Sequence, residues 1–199
     1  MMHCSAAGAE TSYTTLSWWT MAMIAFPEVQ RRAQAEIDAV VGRDRLPSFV
    51  DAPNLPYVCA TMKEVLRWRP AVPLGAPHVA REEDWYEGMY IPKGTVCIAN
   101  LWQCNHDRAV FGEDAEEFRP ERHLDEHGKL LPGPVETYQA GHVSFGFGRR
   151  ICVGKDLANE SLFINTARIL WAAELARPQD ESGKEVPLDI ETANDAGII

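Results

Sequence analysis

Along this chain of 199 residues the spacing of apolar positions changes character several times, and the changes divide it into elements. Residues 16–26 form an almost unbroken apolar run, too short for the roughly 20 residues that span a bilayer. Pro27 suits the first turn of a helix, and residues 27–41 carry a 3.6-residue repeat that Gly42 closes. There Val29, Ala33, Ile37 and Val40/Val41 share one face, with charges opposite. A connector punctuated by Pro47, Pro53 and Pro56 leads to a second amphipathic stretch, 57–68, which stops before Pro70. Residues 70–77 hold three prolines and predict neither helix nor central strand. From Val79 the period shortens. Trp85-Tyr86 and 89–91 flank Glu87-Gly88 as a hairpin, 92–95 make a turn, and 96–99 are strand-like. Residues 101–107 predict a short helix, 125–138 a polar surface loop, and 155–170 a last helix before a polar tail. The expectation is a mainly α fold with a small β region.

Composition narrows the function classes. A net charge of −10 and a pI near 5.1 argue against nucleic acid and against an anionic membrane surface, both of which attract basic proteins. Hydrophobic content of 46%, with six Trp and seven Phe, allows a sizeable core. The five cysteines (Cys4, Cys59, Cys97, Cys104, Cys152) are odd in number and contain no Cys-x-x-Cys, which fits a reducing compartment better than a disulfide framework. Cys97, Cys104, His106 and His123 could be drawn together as a zinc site, but their spacing matches no common finger or knuckle. The apolar run 16–26 also lacks the basic flank of a signal peptide, since the first Lys or Arg is Arg31 and Glu10 lies just ahead of it.

The most informative stretch is 144–154, Ser-Phe-Gly-Phe-Gly-Arg-Arg-Ile-Cys-Val-Gly. Gly146 and Gly148 let the backbone turn tightly and approach a ligand closely. Arg149 and Arg150 supply fixed cationic forks suited to carboxylates. Cys152 stands immediately before a helical run, where unpaired N–H groups and the helix dipole favour a thiolate. A phosphate-cradling loop is the plain alternative, yet Ile151 occupies the place of the third glycine of a dinucleotide fingerprint.

The whole pattern, Phe145-Gly-x-Gly-Arg-Arg-x-Cys-x-Gly, resembles the haem-binding loop of the cytochrome P450 family. Three further matches follow in the family's order. Ala7-Gly8-Ala9-Glu10-Thr11 is similar to the oxygen-activation helix, whose small pair loosens the helix over the iron and whose acid and alcohol deliver protons. Carried over, Glu10 and Thr11 take those catalytic roles, although Glu-Thr-Ser taken alone could simply cap a helix. Glu64 and Arg67 match the family's Glu-x-x-Arg, and Arg122 its Pro-Glu-Arg arginine, which together implies a buried structural triad. The family often has Phe after that arginine; here it is His123, a minor departure that leaves Arg122 intact. His78 and Arg150 then fall to haem propionates, Phe145 packs under the ring, Cys152 ligates the iron, and Gly154 completes the cofactor loop.

The resemblance, strongest to fungal members, implies haem b (iron protoporphyrin IX), dioxygen, a small apolar organic substrate and an NADPH-dependent reductase docking near Arg149. It implies a fold more than twice this length. Residues 1–199 then correspond to a partial domain, from the oxygen-activation helix through the cysteine-loop helix, without the N-terminal half or the final β-hairpin. A full-length relative would sit on the cytoplasmic face of the endoplasmic reticulum membrane through an N-terminal anchor that lies outside this chain. Two other readings are a truncated, non-catalytic haem-binding remnant and a relative that rearranges peroxides without dioxygen; Glu10-Thr11 argues against the second.

Overall fold

Helix α1 (Met2–Ala25) is exposed over residues 7–10 and enters the core along its second half, from Trp18 to Met23. The structure, a computed structural model, describes residues 2–188 and 190, with side chains from residue 7 onward. Trp19, Ala22 and Met23 of α1 are fully buried, and the Trp19 indole N–H donates to Thr61 Oγ1 at 3.1 Å. Burying that large ring therefore leaves no orphaned donor.

After a break at Phe26, α2 (Pro27–Val40) starts with proline at its first turn and buries Gln30, Ala33 and Ile37. Val29 packs at the edge of the core, and Val40 is exposed while Val41 is buried, so the expected stripe holds except at its end. The proline-punctuated connector contains a 3-10 turn (Phe49–Asn54), fixed by Asp51, which accepts from the Ser48 backbone and hydroxyl and pairs with Arg45. Helix α3 (Pro56–Trp68) is the hub, contacting α1, α2 and α6 (Lys155–Ala172). Its N-terminal N–H groups, on Tyr57 and Val58, are each accepted at 2.9 Å by the carboxylate of Glu36, a cap supplied by α2.

The β region is two separate antiparallel pairs. Strands β1 (His78–Val79) and β4 (Val96–Cys97) pair His78 with Cys97. Strands β2 (Asp84–Tyr86) and β3 (Met89–Ile91) pair Trp85 with Tyr90 across a two-residue turn. In that turn Glu87 and Gly88 both have positive φ (48° and 80°), as a hairpin of native twist requires. The strand expected over 96–99 covers only Val96–Cys97, and the helix expected over 101–107 divides into α4 (Leu101–Asn105) and α5 (Arg108–Phe111). Asp107 causes the division: its carboxylate accepts from Ala109 N at 2.9 Å and starts a new helix. The polar loop over 125–138 is less irregular than expected, with a bridge between Leu124 and Leu130 and a 3-10 turn at Val135–Thr137.

The core is aromatic where α1, α3 and the segment before Pro120 meet. Phe26 stacks on Phe118 at 5.2 Å and Trp68 leans on the same ring at 5.3 Å, while Trp18 meets Trp68 edge-on. Among the described residues no helix is long and apolar enough to cross a membrane.

Candidate functional site

Two charged side chains stand at the centre of the molecule. Glu64 and Arg67, one turn apart on α3, are both fully buried. Arg67 donates from Nε and Nη2 to the two carboxylate oxygens at 2.9 and 2.8 Å. Its remaining donors go to the carbonyls of Asn105 (2.8 Å), Ala115 (2.6 Å) and Glu117 (2.9 Å). Arg122 enters from the 3-10 turn Pro120–His123, with Nε on Glu64 Oε1 at 3.0 Å and its other nitrogens on the carbonyls of Phe111 and Asp114. The expected triad therefore forms, and each of its charges is met by hydrogen bonds, the condition under which buried ions are tolerated.

His123 corrects the sequence reading. Far from a minor departure, it is buried, with Nε2 2.9 Å from Glu64 Oε2. An ionised carboxylate only accepts, so Nε2 carries the hydrogen. With the Arg119 backbone N–H at 2.8 Å, Glu64 receives bonds from Arg67, Arg119, Arg122 and His123. Burial alone would raise the Glu64 carboxyl; the hydrogen bonds from Arg67 and His123 and the charge of Arg67 reverse this and hold it well below the usual carboxylate range. Burial pushes the His123 imidazole down despite Glu64, so it stays neutral near neutral pH. The ring also lies against Gly141, where a Cβ would come within 2.9 Å of Nδ1.

Beyond Gly141 the chain enters the cysteine loop. His142 is fully enclosed and neutral, its imidazole pushed down to about 3 by burial first and then by Lys63 and His123. Phe145 packs against the core, and its carbonyl accepts the Cys152 N–H at 2.9 Å, closing the loop. Inside it Gly146 and Gly148 have φ of 69° and 65°, a left-handed conformation that favours glycine and lets the loop turn tightly. A Cβ at either would meet nothing within 4 Å, so conformation rather than space demands glycine. A 3-10 turn (Gly148–Arg150) and one further turn lead to α6, with Gly154 at its N-cap. A Cβ built on Gly154 would sit 3.9 Å from Cys152 Sγ, so glycine keeps that flank of the sulfur clear.

The donor set suits a haem. Cys152 is a free, exposed thiol. Near it in the sequence Val153 and Leu157 are 98% and 72% exposed, with Phe147 and Ile151 also open, so the chain on both sides of this soft ligand presents apolar side chains to the outside. Arg149, Arg150 and His78 are exposed and able to meet anionic edges. A flat apolar macrocycle with carboxylates at its margin matches that combination.

Glu10 is exposed on α1 and Thr11 half-buried. The helix runs unbroken through Ala7 and Gly8, so no loosening of its path is seen there. The Thr11 hydroxyl donates instead to the Ala7 carbonyl at 2.8 Å. Among the described residues no hydrogen bond or ion pair joins Glu10, Thr11 or His78 to the cysteine loop. Sequence reasoning missed His142 and Asn105, the latter fully buried beside Arg67. Neither carries a signal of its own in the sequence, because both are defined by contacts from distant segments.

Residues 1–189 match the sequence profile of the family described as Cytochrome P450. A cytochrome P450 monooxygenase of Armillaria gallica is 56% identical over 194 residues, covering 98% of this chain and 37% of the relative. A second from the same fungus is 51% identical over 193 residues, 97% of this chain and 37% of its own length. Cytochrome P450 monooxygenase 58 of Postia placenta is 52% identical over 180 residues, 90% of this chain and 34% of its own. The chain thus spans about a third of the length of the curated relatives it matches.

Proposed function

The chain belongs to the cytochrome P450 family, and on that premise we propose that it is the haem-proximal part of a haem-thiolate monooxygenase. The observation that carries the proposal is the exposed Cys152 thiol, flanked in sequence by exposed apolar side chains, on a loop closed by the Cys152–Phe145 backbone bond. Cys152 holds haem b through its sulfur, Phe145 and Gly154 shape the ground beside that sulfur, and Arg150 and His78 take the propionates. When bound, the haem supplies the binding and activation of dioxygen, so that one oxygen atom enters an apolar organic substrate. Thr11 and Glu10 hold and pass protons on the distal side. For Thr11 this requires its hydroxyl to turn from the Ala7 carbonyl, at a cost of about 1 kcal/mol for one exposed hydrogen bond. Electrons come from an NADPH-dependent reductase docking around Arg149.

The decisive experiment is the absorption spectrum of the haem-loaded, reduced, carbon-monoxide-bound protein. A thiolate-type Soret band is expected, and Cys152→Ser abolishes it. An imidazole-type band in the unmutated protein, or no bound haem, would overturn the proposal. The distal assignment is tested separately: Thr11→Ala should divert electrons from product to peroxide, and normal coupling in that variant would favour a peroxide-rearranging relative.

A further inference from the structure

Asn105, the last residue of α4, is fully buried and reaches across to the start of the cysteine loop. Its Oδ1 accepts the Val143 N–H at 2.8 Å and its Nδ2 donates to Ser144 Oγ at 2.9 Å. The amide orientation follows from chemistry, because a backbone N–H can only donate and must face the oxygen. Ser144 passes its own hydroxyl hydrogen to the Leu66 carbonyl on α3, so every group in this junction is satisfied. From behind, Arg67 Nη1 donates to the Asn105 carbonyl at 2.8 Å. One residue beyond the grip, Phe145 O accepts Cys152 N at 2.9 Å, and Val143 O accepts Gly146 N at 2.8 Å.

A path of hydrogen bonds, joined by the peptide link from Ser144 to Phe145, therefore runs from the buried Glu64–Arg67 pair through Asn105 to the backbone of the cysteine. We infer that Asn105 is a positioning residue: by gripping Val143 and Ser144 it fixes the Phe145 carbonyl, and through that carbonyl the seat of the Cys152 sulfur. The part of this that concerns the iron ligand rests on the haem-thiolate reading; the clamp on the loop does not. A residue that only filled space would need no donor and acceptor aimed at two successive residues. It would also not sit between the guanidinium and the loop.

The test uses Asn105→Leu, close in size and shape but unable to hydrogen-bond, and Ser144→Ala, which removes the hydroxyl that receives Asn105 and donates to the Leu66 carbonyl but leaves the Asn105 grip on Val143 in place. Ser144→Ala is the milder change, so it decides the matter if Asn105→Leu does not fold. Hydrogen–deuterium exchange of the haem-free protein is read at residues 143–152 against α3 and α6. Each variant loses two side-chain hydrogen bonds, which should speed exchange in 143–152 at least about tenfold while the helices are unchanged. In the haem-loaded protein the thiolate fraction of the carbon-monoxide complex should fall at least about twofold, since even a modest loss of fixed geometry repopulates other ligation states. Unchanged exchange in 143–152, or a rise spread equally over the helices, overturns the clamp. Faster loop exchange with an unaltered thiolate fraction overturns the link to the sulfur. A wild-type protein without a thiolate band refutes the haem-thiolate reading instead, while the exchange data still decide the clamp.

Discussion

Replacing Arg67 with leucine removes five hydrogen bonds, two to Glu64 and three to the carbonyls of Asn105, Ala115 and Glu117. Leucine approximates the stem but leaves the Glu64 carboxylate, itself fully buried, with only Arg119, Arg122 and His123. Breaking one side of a buried ion pair costs about 3–5 kcal/mol. The Glu117 carbonyl keeps Arg122 Nη2 at 3.3 Å, but those of Asn105 and Ala115 are orphaned, and each adds roughly 1 kcal/mol or more. The sum, roughly 5–7 kcal/mol, rivals the whole stability of an ordinary domain, about 5–15 kcal/mol. Arg67→Leu should therefore fail to accumulate as folded protein. Arg67→Lys keeps the charge but offers a point donor in place of a planar fork, and should be folded with a lowered urea midpoint. The control is Arg32→Ala. Arg32 pairs with Glu121 at 2.8 Å, but both side chains are largely in water (53% and 40% exposed). That loss should be under about 1 kcal/mol. Soluble yield, circular dichroism and urea unfolding separate the three. If Arg67→Leu unfolds at the same urea concentration as Arg32→Ala, the cluster is not what holds α3 to the later segments.

Acid should destabilise the protein early. His142 and His123 are held neutral in the folded state, His142 at about 3, whereas the unfolded chain protonates near 6.5. Their contribution is complete above pH ~6.5 and is lost as pH falls below it, by up to about 1.4 kcal/mol per pH unit for each. The Glu64 carboxyl is depressed, so its contribution persists until pH falls below about 4.5. Thermal melts from pH 8 to 5 should show the decline beginning near 6.5, and a flat profile down to pH 5 would contradict it. Gly141→Ala places a methyl 2.9 Å from His123 Nδ1 at a φ of +86°. Strain of roughly 1–3 kcal/mol should result, and an unshifted melting temperature would show that the ring is free to move. Glu36→Ala uncaps α3 and should cost about 1–2 kcal/mol in chemical denaturation, with no effect on haem spectra.

Helices α2 and α3 are legible because each carries its own period: Val29, Ala33 and Ile37 identify α2 without reference to anything else. The hairpin was legible because Glu87-Gly88 suits a tight turn between two short β-rich runs. The Glu64, Arg67 and Arg122 assignment came from motif resemblance, since periodicity cannot say whether a Glu-x-x-Arg pair lies inside or outside. Long-range polar contacts were not legible. Asn105 meets its partners 38 and 39 residues away, and His123 meets Glu64 across 59. An asparagine ending a short helix and a histidine in a turn look like surface residues until the fold brings those segments together. His123 was misjudged because the substitution was weighed as Phe lost rather than as a hydrogen-bond donor gained.

Those sequence separations also govern how the chain assembles. Glu64 and Arg67 leave the ribosome long before Asn105, Ala115, Glu117, Arg122 and His123 exist to receive them. At synthesis rates of about 5–20 residues per second, the 56 residues from Arg67 to His123 take roughly 3–11 s. Throughout that interval α3 must keep two charged side chains in water, although Thr61 on the same helix can already meet Trp19 of α1. Closure waits for the strand of chain that carries Arg122, and the cysteine segment comes later still. The innermost part of the protein is thus among the last to become dry, and the loop that the Phe145–Cys152 backbone bond closes is completed only after it.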